Sequence, residues 1–249
     1  MITFAGVGKR YETDAWAVRD VSFEIETGEL VAVLGESGSG KTTLLKMVNR
    51  LVEPTEGTIS VDGKSVSGSD PVELRRTIGY VIQHVGLLPH LTIAANIAMV
   101  PALLGWDTTK ISERVTELLE LVGLPELRER YPDQLSGGQR QRIGVARALA
   151  ARSKIMLLDE PFGGLDPITR VALQRELKKI HRELALTTVM VTHDMVEALT
   201  LADRIAIVFR GSLKQIGTPS ELMTKPADPY VEQLMGMARH QAEQLMAAT

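Results

Sequence analysis

The chain has 249 residues, 44% of them hydrophobic, which is ample for one α/β domain with a smaller subdomain and ordinary for a globular protein. Its 28 Lys and Arg against 31 Asp and Glu leave a net charge of −3, without the basic footprint of a nucleic-acid binder, so nucleic acid is not an expected partner. The lack of cysteine excludes disulfides and cysteine metal sites, and the longest suspicious apolar stretch, Ile97 to Trp106, is interrupted by Pro101 and far short of the ~18 residues of a membrane span.

In chain order, Met1 to Arg10 lack the hydrophobic core of a signal peptide. A soluble chain is expected, with any membrane-spanning part on another polypeptide. Val21, Phe23 and Ile25 alternate with Ser22, Glu24 and Glu26 as a half-exposed strand does, and together with Gly57–Gly63 they predict a small antiparallel sheet. Leu30–Leu34 is an apolar run of buried-strand type, and Thr43–Val48 has helical character. Between them lie Gly35, Glu36, Ser37, Gly38, Ser39, Gly40, Lys41 and Thr42, which fit Gly-x-x-x-x-Gly-Lys-[Ser/Thr] in the strand–loop–helix context that this pattern requires. Glycines let the backbone approach a nucleotide's phosphates and the helix N-terminus favours their charge; Lys41 reaches the β- and γ-phosphates, and the Thr42 hydroxyl can ligate Mg²⁺. The bland alternative, a glycine-rich turn with an incidental lysine, leaves the matching flanks unexplained.

Ile78–Ile82 reads as a strand, followed by Gln83. The pattern then turns helical: Val115, Leu118, Leu119 and Val122 share one face that ends at Gly123. In Leu135, Ser136, Gly137, Gly138 and Gln139, Ser136 resembles an N-cap for a helix from Gln139 to Ala150. That helix start is an anion site, although an ordinary loop and cap would read the same way locally. Ile155–Leu158 is too short for a helix face and suits a central strand, which leaves Asp159 at the carboxyl end, where open α/β sheets bind ligands. Asp159 is therefore the magnesium candidate, and Glu160 is placed to take a proton from attacking water or to hold that water in line. Without the P-loop, Asp159-Glu160-Pro161 would be no more than a charged strand end entering a turn. Asp166-Pro167 is an N-cap followed by Pro at the first helical position, opening a helix that carries Leu173, Leu177, Ile180 and Leu184. Thr188–Thr192 is strand-like and His193 follows it. Arg210-Gly211 predicts a hairpin turn, and neither an internal repeat nor a low-complexity linker is present.

From about Ile2 to about Gly236 the chain resembles the nucleotide-binding subunit of an ABC transporter, whose signature motif stands at Leu135 to Gln139 without departure. The resemblance implies an α/β fold, a P-loop NTPase (RecA-like) core with a small antiparallel β subdomain and an inserted α-helical subdomain. Residues 1–87 and 155–240 would form the core with its β subdomain, 88–154 the helical subdomain with the signature, and 241–249 a short tail. It implies ATP and Mg²⁺ as ligands, with Thr42, Gln83 and Asp159 on the metal and the loop from Gly35 through Thr43 on the phosphates. Ser136, Gly137, Gly138 and Gln139 would meet the γ-phosphate held by the opposing subunit. Tyr11 stands where the family places an aromatic that stacks on adenine; Trp16 competes for that role, and a core or surface tyrosine is the alternative. Gln83 resembles the glutamine that senses magnesium and attacking water, and Asp166 belongs to a loop through which the subunits touch. His193 resembles the switch histidine on the γ-phosphate, while His84, His90, His181 and His240 have no such support.

The implied partners are a second ATPase subunit of the same chain, integral membrane permease subunits and, indirectly, a substrate-binding protein, with the chain peripheral at the cytoplasmic face of the membrane. The segment Gln83 to Trp106 leads, in the family, to the surface that receives the membrane subunit; here most of it is expected to pack internally. Its wording resembles the ATPases of importers for glycine betaine, choline or carnitine. Some of those carry a C-terminal regulatory module, whereas this chain ends soon after Pro226–Tyr230 with a Met- and Gln-bearing tail from Gly236, so regulation through such a module is not expected. The expected activity is ATP hydrolysis driving dimer closure in an importer; the alternative is the ATPase of an ABC transporter for another small solute, and the docking-segment wording favours an importer over an exporter. ABC-type ATPases of DNA repair or translation usually carry coiled-coil insertions or a second ATPase unit, which this chain lacks, and a small-molecule kinase would leave the signature loop unexplained.

Overall fold

The computed structural model describes residues 1–12, 15–83 and 85–247, the last seven as backbone alone. In chain order the elements are β1 (Ile2–Arg10), β2 (Trp16–Ile25), β3 (Leu30–Leu34), α1 (Lys41–Val48), β4 (Glu56–Val61), β5 (Lys64–Ser65), α2 (Pro71–Thr77), β6 (Ile78–Val81), α3 (Ile93–Leu103), α4 (Thr108–Leu121), α5 (Gly137–Leu149), β7 (Ile155–Asp159), α6 (Pro167–Glu183), β8 (Thr187–Thr192), α7 (Met195–Leu201), β9 (Arg204–Phe209), β10 (Ser212–Gly217), α8 (Pro219–Thr224) and α9 (Pro229–Ala247). They form two compact units, residues 1–69 with 189–249 and residues 70–188, the boundary falling inside β8.

In the first unit, β2, β1, β4 and β5 make an antiparallel sheet in that order. Val21, Phe23 and Ile25 are buried while the intervening Ser22, Glu24 and Glu26 are exposed, the alternation expected of a sheet packed on one face. Phe4 stacks on its register partner Phe23 with ring centroids 4.5 Å apart. β3 is buried at every position and pairs in parallel with β9, which pairs antiparallel with β10. Burial on both faces is why Leu30–Leu34 reads as an unbroken apolar run. Arg210 and Gly211 both take left-handed backbone, at φ 48° and 80°, the geometry a two-residue hairpin turn demands.

In the second unit, β6 and β7 are parallel, in register from Ile78 with Ile155 to Val81 with Leu158. α3, α4 and α5 pack on one another. A side chain at Gly79 would come within 2.5 Å of the Ala148 carbonyl oxygen, so only glycine lets α5 lie this close to β6. Val115, Leu118, Leu119 and Val122 are buried, and α4 gives way at Gly123, whose φ of 67° is the usual helix stop. Buried Arg114 donates to the Leu149 carbonyl at 2.7 Å and pairs with Glu117 at 2.5 Å, satisfying an end carbonyl of α5 that has no partner within the helix. The segment from Gly236, read from sequence as a tail, belongs to α9.

Candidate nucleotide site

The loop Gly35–Gly40 joins β3 to α1, whose N-cap Gly40 has φ 100°. A Cβ on Gly35 would lie 2.1 Å from the Val208 carbonyl oxygen, and one on Gly40 would lie 2.2 Å from that of Ala17, so the loop presses onto neighbouring backbone at both ends. Lys41 is buried, with Nζ donating to the carbonyls of Gly35 at 2.8 Å and Glu36 at 2.7 Å. The Ser39 hydroxyl is buried without a hydrogen-bond partner. Leaving such a group unpaired costs about 1–3 kcal/mol, which a ligand in the loop would recover. Thr42 and Thr43 follow in the first turn of α1, both half-buried.

Tyr11 is exposed, its hydroxyl 3.5 Å from Thr43 Oγ1 and its ring 5.3 Å from Lys9 Nζ. Trp16 is engaged differently: the Arg10 guanidinium stands 4.1 Å over its ring, and the ring fills the space where a side chain at Gly8 would be. Of the two aromatics, Tyr11 is the one tethered to the helix that opens with Lys41. His193 is exposed just beyond β8 and lines a cavity of about 410 Å³ together with Leu34, Gly35 and Glu36. The chain on either side of it is fixed: Thr192 Oγ1 donates to buried Glu197 at 2.6 Å, and Asp194 caps α7.

In the second unit, Asp159 is buried at the end of β7 and accepts from the Tyr80 hydroxyl at 3.4 Å. Burial first, and the negative charge of Asp159 second, push the Tyr80 phenol above its ordinary range. Glu160 sits at φ 46°, a strained conformation of the kind concentrated at functional sites, and its Oε2 accepts from Gln83 Nε2 at 3.0 Å. Ser136 caps α5 in a reciprocal capping box: the Gln139 N–H donates to Ser136 Oγ at 3.2 Å and the Ser136 N–H to Gln139 Oε1 at 2.9 Å. Gly138 lies against Thr169, whose Cγ2 would be 2.4 Å from an added Cβ. Asp166 caps α6 through the N–H groups of Ile168 and Thr169, so the signature loop and the Asp166 turn are neighbours. Hydrogen bonds from the Thr169 side chain and backbone hold the Asp166 carboxyl below its ordinary range.

Between Gln83 and Trp106, fully buried Asn96 donates to the carbonyls of Leu88, Leu91 and Thr92 and accepts from the Leu88 N–H. Ile93, Ile97 and Pro101 are buried, while Leu103 and Leu104 are exposed. Met99 and Val100 line a cavity of about 250 Å³ with Arg75, Arg76, Tyr80 and Arg147. Arg147 donates to the Gly86 carbonyl at 2.7 Å and to that of Val85, tying α5 to this segment, and burial lowers its pKa. Sequence reasoning missed Tyr80, Asn96 and Arg147. The period-2 pattern places Tyr80 on one strand face with Ile78 and Ile82, and that was the signal available for it. Of the unsupported histidines, His181 is buried with Nδ1 3.0 Å from Thr188 Oγ1, His90 and His240 are exposed, and His84 lies outside the described residues.

Among the described residues no helix is long and apolar enough to cross a membrane. Residues 18–163 match the family model described as ABC transporter. The choline transport ATP-binding protein OpuBA of Bacillus subtilis is 53% identical over 240 residues, covering 96% of this chain and 63% of that protein; the chain thus spans less than two thirds of this relative. The glycine betaine uptake system ATP-binding protein YehX of Escherichia coli is 49% identical over 237 residues, 95% of this chain and 77% of that one. The dimeric, post-hydrolysis ATP-binding cassette MJ0796 bound to ADP and Pi superposes with a TM-score of 0.78 at 33% identity, covering 88% of this chain and 99% of that one. The α/β fold is therefore that of the ABC ATPase cassettes, and the chain belongs to the ABC transporter family as one of its ATP-binding members.

Proposed function

We propose that the chain is the ATP-hydrolysing subunit of an importer for quaternary-amine osmoprotectants, acting as a dimer of identical chains at the cytoplasmic face of the membrane, on permease subunits fed by a substrate-binding protein. The observation that carries the reading is the 3.0 Å hydrogen bond from Gln83 to Glu160, directly after buried Asp159. The chain's similarity to the ATP-binding proteins of choline transport and of glycine betaine uptake supports the solute class.

Lys41 and the loop from Gly35 to Thr43 bind the phosphates, with Ser39 offering an unpaired hydroxyl, and Tyr11 stacks on adenine. Thr42, Asp159 and Gln83 would hold Mg²⁺, an oxygen set with one carboxylate that suits an ion sharing its coordination with substrate phosphates, and the ion would offset phosphate charge. Glu160, steadied by Gln83, holds the attacking water and accepts its proton. His193 and the partner chain's Ser136–Gln139 loop hold the γ-phosphate, with Asp166 at the subunit contact. ATP thereby closes the dimer and pulls on the permease; hydrolysis and product release reopen it.

The test is uptake of labelled choline, glycine betaine or carnitine by vesicles containing the full chain and its permease, with ATP enclosed. Saturable uptake abolished by Glu160→Gln is expected. Uptake of a different solute class would move the substrate assignment, and ATP-independent uptake would refute the role itself.

A further inference from the structure

The turn that carries Gln83 is held from α5. Its far end, Val85, sits at φ 47°, a left-handed backbone that a β-branched residue adopts only where its surroundings impose it, and Gly86 continues at φ 60°. The Val85 N–H closes the turn by donating to the Ile82 carbonyl at 2.9 Å, with Gln83 between them in the chain. α5 grips the strained end twice. Arg147 donates from Nη1 to the Gly86 carbonyl at 2.7 Å and from Nη2 to the Val85 carbonyl. About one helical turn earlier, Gly144 leaves room for the buried Val85 side chain, whose Cγ1 would lie 2.5 Å from an added Cβ.

On the other side of the turn, Gln83 Nε2 donates to Glu160 Oε2 at 3.0 Å. The path from Arg147 to Glu160 therefore runs through observed hydrogen bonds, and every residue on it belongs to the second unit. The chain just beyond Gly86 has a separate anchor in Asn96, which accepts from the Leu88 N–H at 2.8 Å and donates to the Leu88 carbonyl at 3.1 Å. A charged, two-pronged donor suits the task left to Arg147, because charge-assisted hydrogen bonds are stronger than neutral ones and the fork fixes both carbonyls at once. Arg147 lies in the last turn of the helix that Ser136 caps, so α5 has the signature loop at one end and its hold on the Gln83 turn at the other.

We propose that Arg147 is a positioning residue for ATP hydrolysis: its guanidinium keeps the strained Val85–Gly86 backbone in place and thereby aims Gln83 at Glu160. The proposal rests on the reading of Glu160, steadied by Gln83, as the group that holds the attacking water.

ATP turnover by the full chain with its permease in vesicles, and the ATP Kd of the full chain by calorimetry, test it on wild type, Arg147→Met, Arg147→Lys, Gln83→Ala and the Arg147→Met/Gln83→Ala pair. Arg147→Met keeps the apolar stem and loses both donors; kcat is expected to fall about ten- to a hundredfold with Kd near wild type. Arg147→Lys, which keeps the charge and one donor, is expected to recover most of that loss. In the Gln83→Ala background Arg147→Met is expected to change kcat no further. If Arg147→Met melts below the assay temperature, Arg147→Lys takes its place in the same cycle, with an expected loss of about two- to fivefold that again vanishes without Gln83. A wild-type kcat for the Arg147 variant, a loss confined to Kd, or an equal loss with and without Gln83 overturns the proposal. Wild-type turnover in Gln83→Ala overturns the reading of the Gln83–Glu160 pair, and the proposal with it.

Discussion

Gln83 and Glu160, 77 positions apart in the chain, meet through a 3.0 Å hydrogen bond from Nε2 to Oε2. Gln83 lies just beyond β6 and Glu160 just beyond β7, and because those strands pair in parallel, the residues past their carboxyl ends come side by side. The bond turns the Glu160 carboxylate toward the side chain that resembles the family's magnesium-sensing glutamine.

Glu160→Gln keeps the side-chain shape and removes the basic oxygen. ATP binding is expected to stay near wild type while turnover falls about 10²–10⁴-fold, the range of general acid–base assistance. Light scattering with ATP·Mg²⁺ should show a trapped dimer; a normal turnover rate would sink the assignment.

For Lys41→Ala the expectation is lost nucleotide affinity in calorimetry. The ammonium is buried and bonded to the Gly35 and Glu36 carbonyls, so its removal also loosens the loop. Unchanged ATP binding would contradict the phosphate role.

Tyr11→Ala is expected to weaken ATP binding by about 1–3 kcal/mol, the usual value of a base-stacking aromatic. Trp16→Ala, which strips a ring held under Arg10, should affect melting temperature more than affinity. Calorimetry and thermal unfolding on both variants check this; the reverse pattern would make Trp16 the stacking residue.

Ser136→Ala removes the cap of α5 and is expected to cost about 1 kcal/mol of stability by urea unfolding. It should also lower ATPase activity beyond what stability explains, because the same hydroxyl is assigned to the partner's γ-phosphate. Full activity at unchanged protein concentration would reduce Ser136 to a cap.

The Asp166 carboxyl is held below its ordinary range by Thr169. A depressed folded-state pKa contributes stability above the unfolded value, about 3.9, that is lost as pH falls through the folded value. Asp166→Asn retains a cap without the titration, so the difference in urea stability between wild type and variant should shrink as pH drops below about 4. A pH-independent difference would contradict this.

The sequence by itself determined the elements whose pattern is local. The continuous burial of β3, the alternation in β2, the Gly123 stop after α4 and the loop opening onto Lys41 are all written in neighbouring residues, because period and backbone conformation depend on neighbours. The positions of the candidate site residues at strand ends were legible for the same reason: Asp159, Glu160 and His193 each follow an apolar run. Only the tertiary structure decided which of them share a neighbourhood. The Gln83–Glu160 bond depends on the parallel pairing of β6 with β7, the packing of Gly138 on Thr169 on the approach of α6 to α5, and the stacking of Tyr230 on Phe209 on how α9 begins against β9. Such contacts join residues far apart in the chain. Each is fixed by chain packing, which no pattern within a single segment encodes.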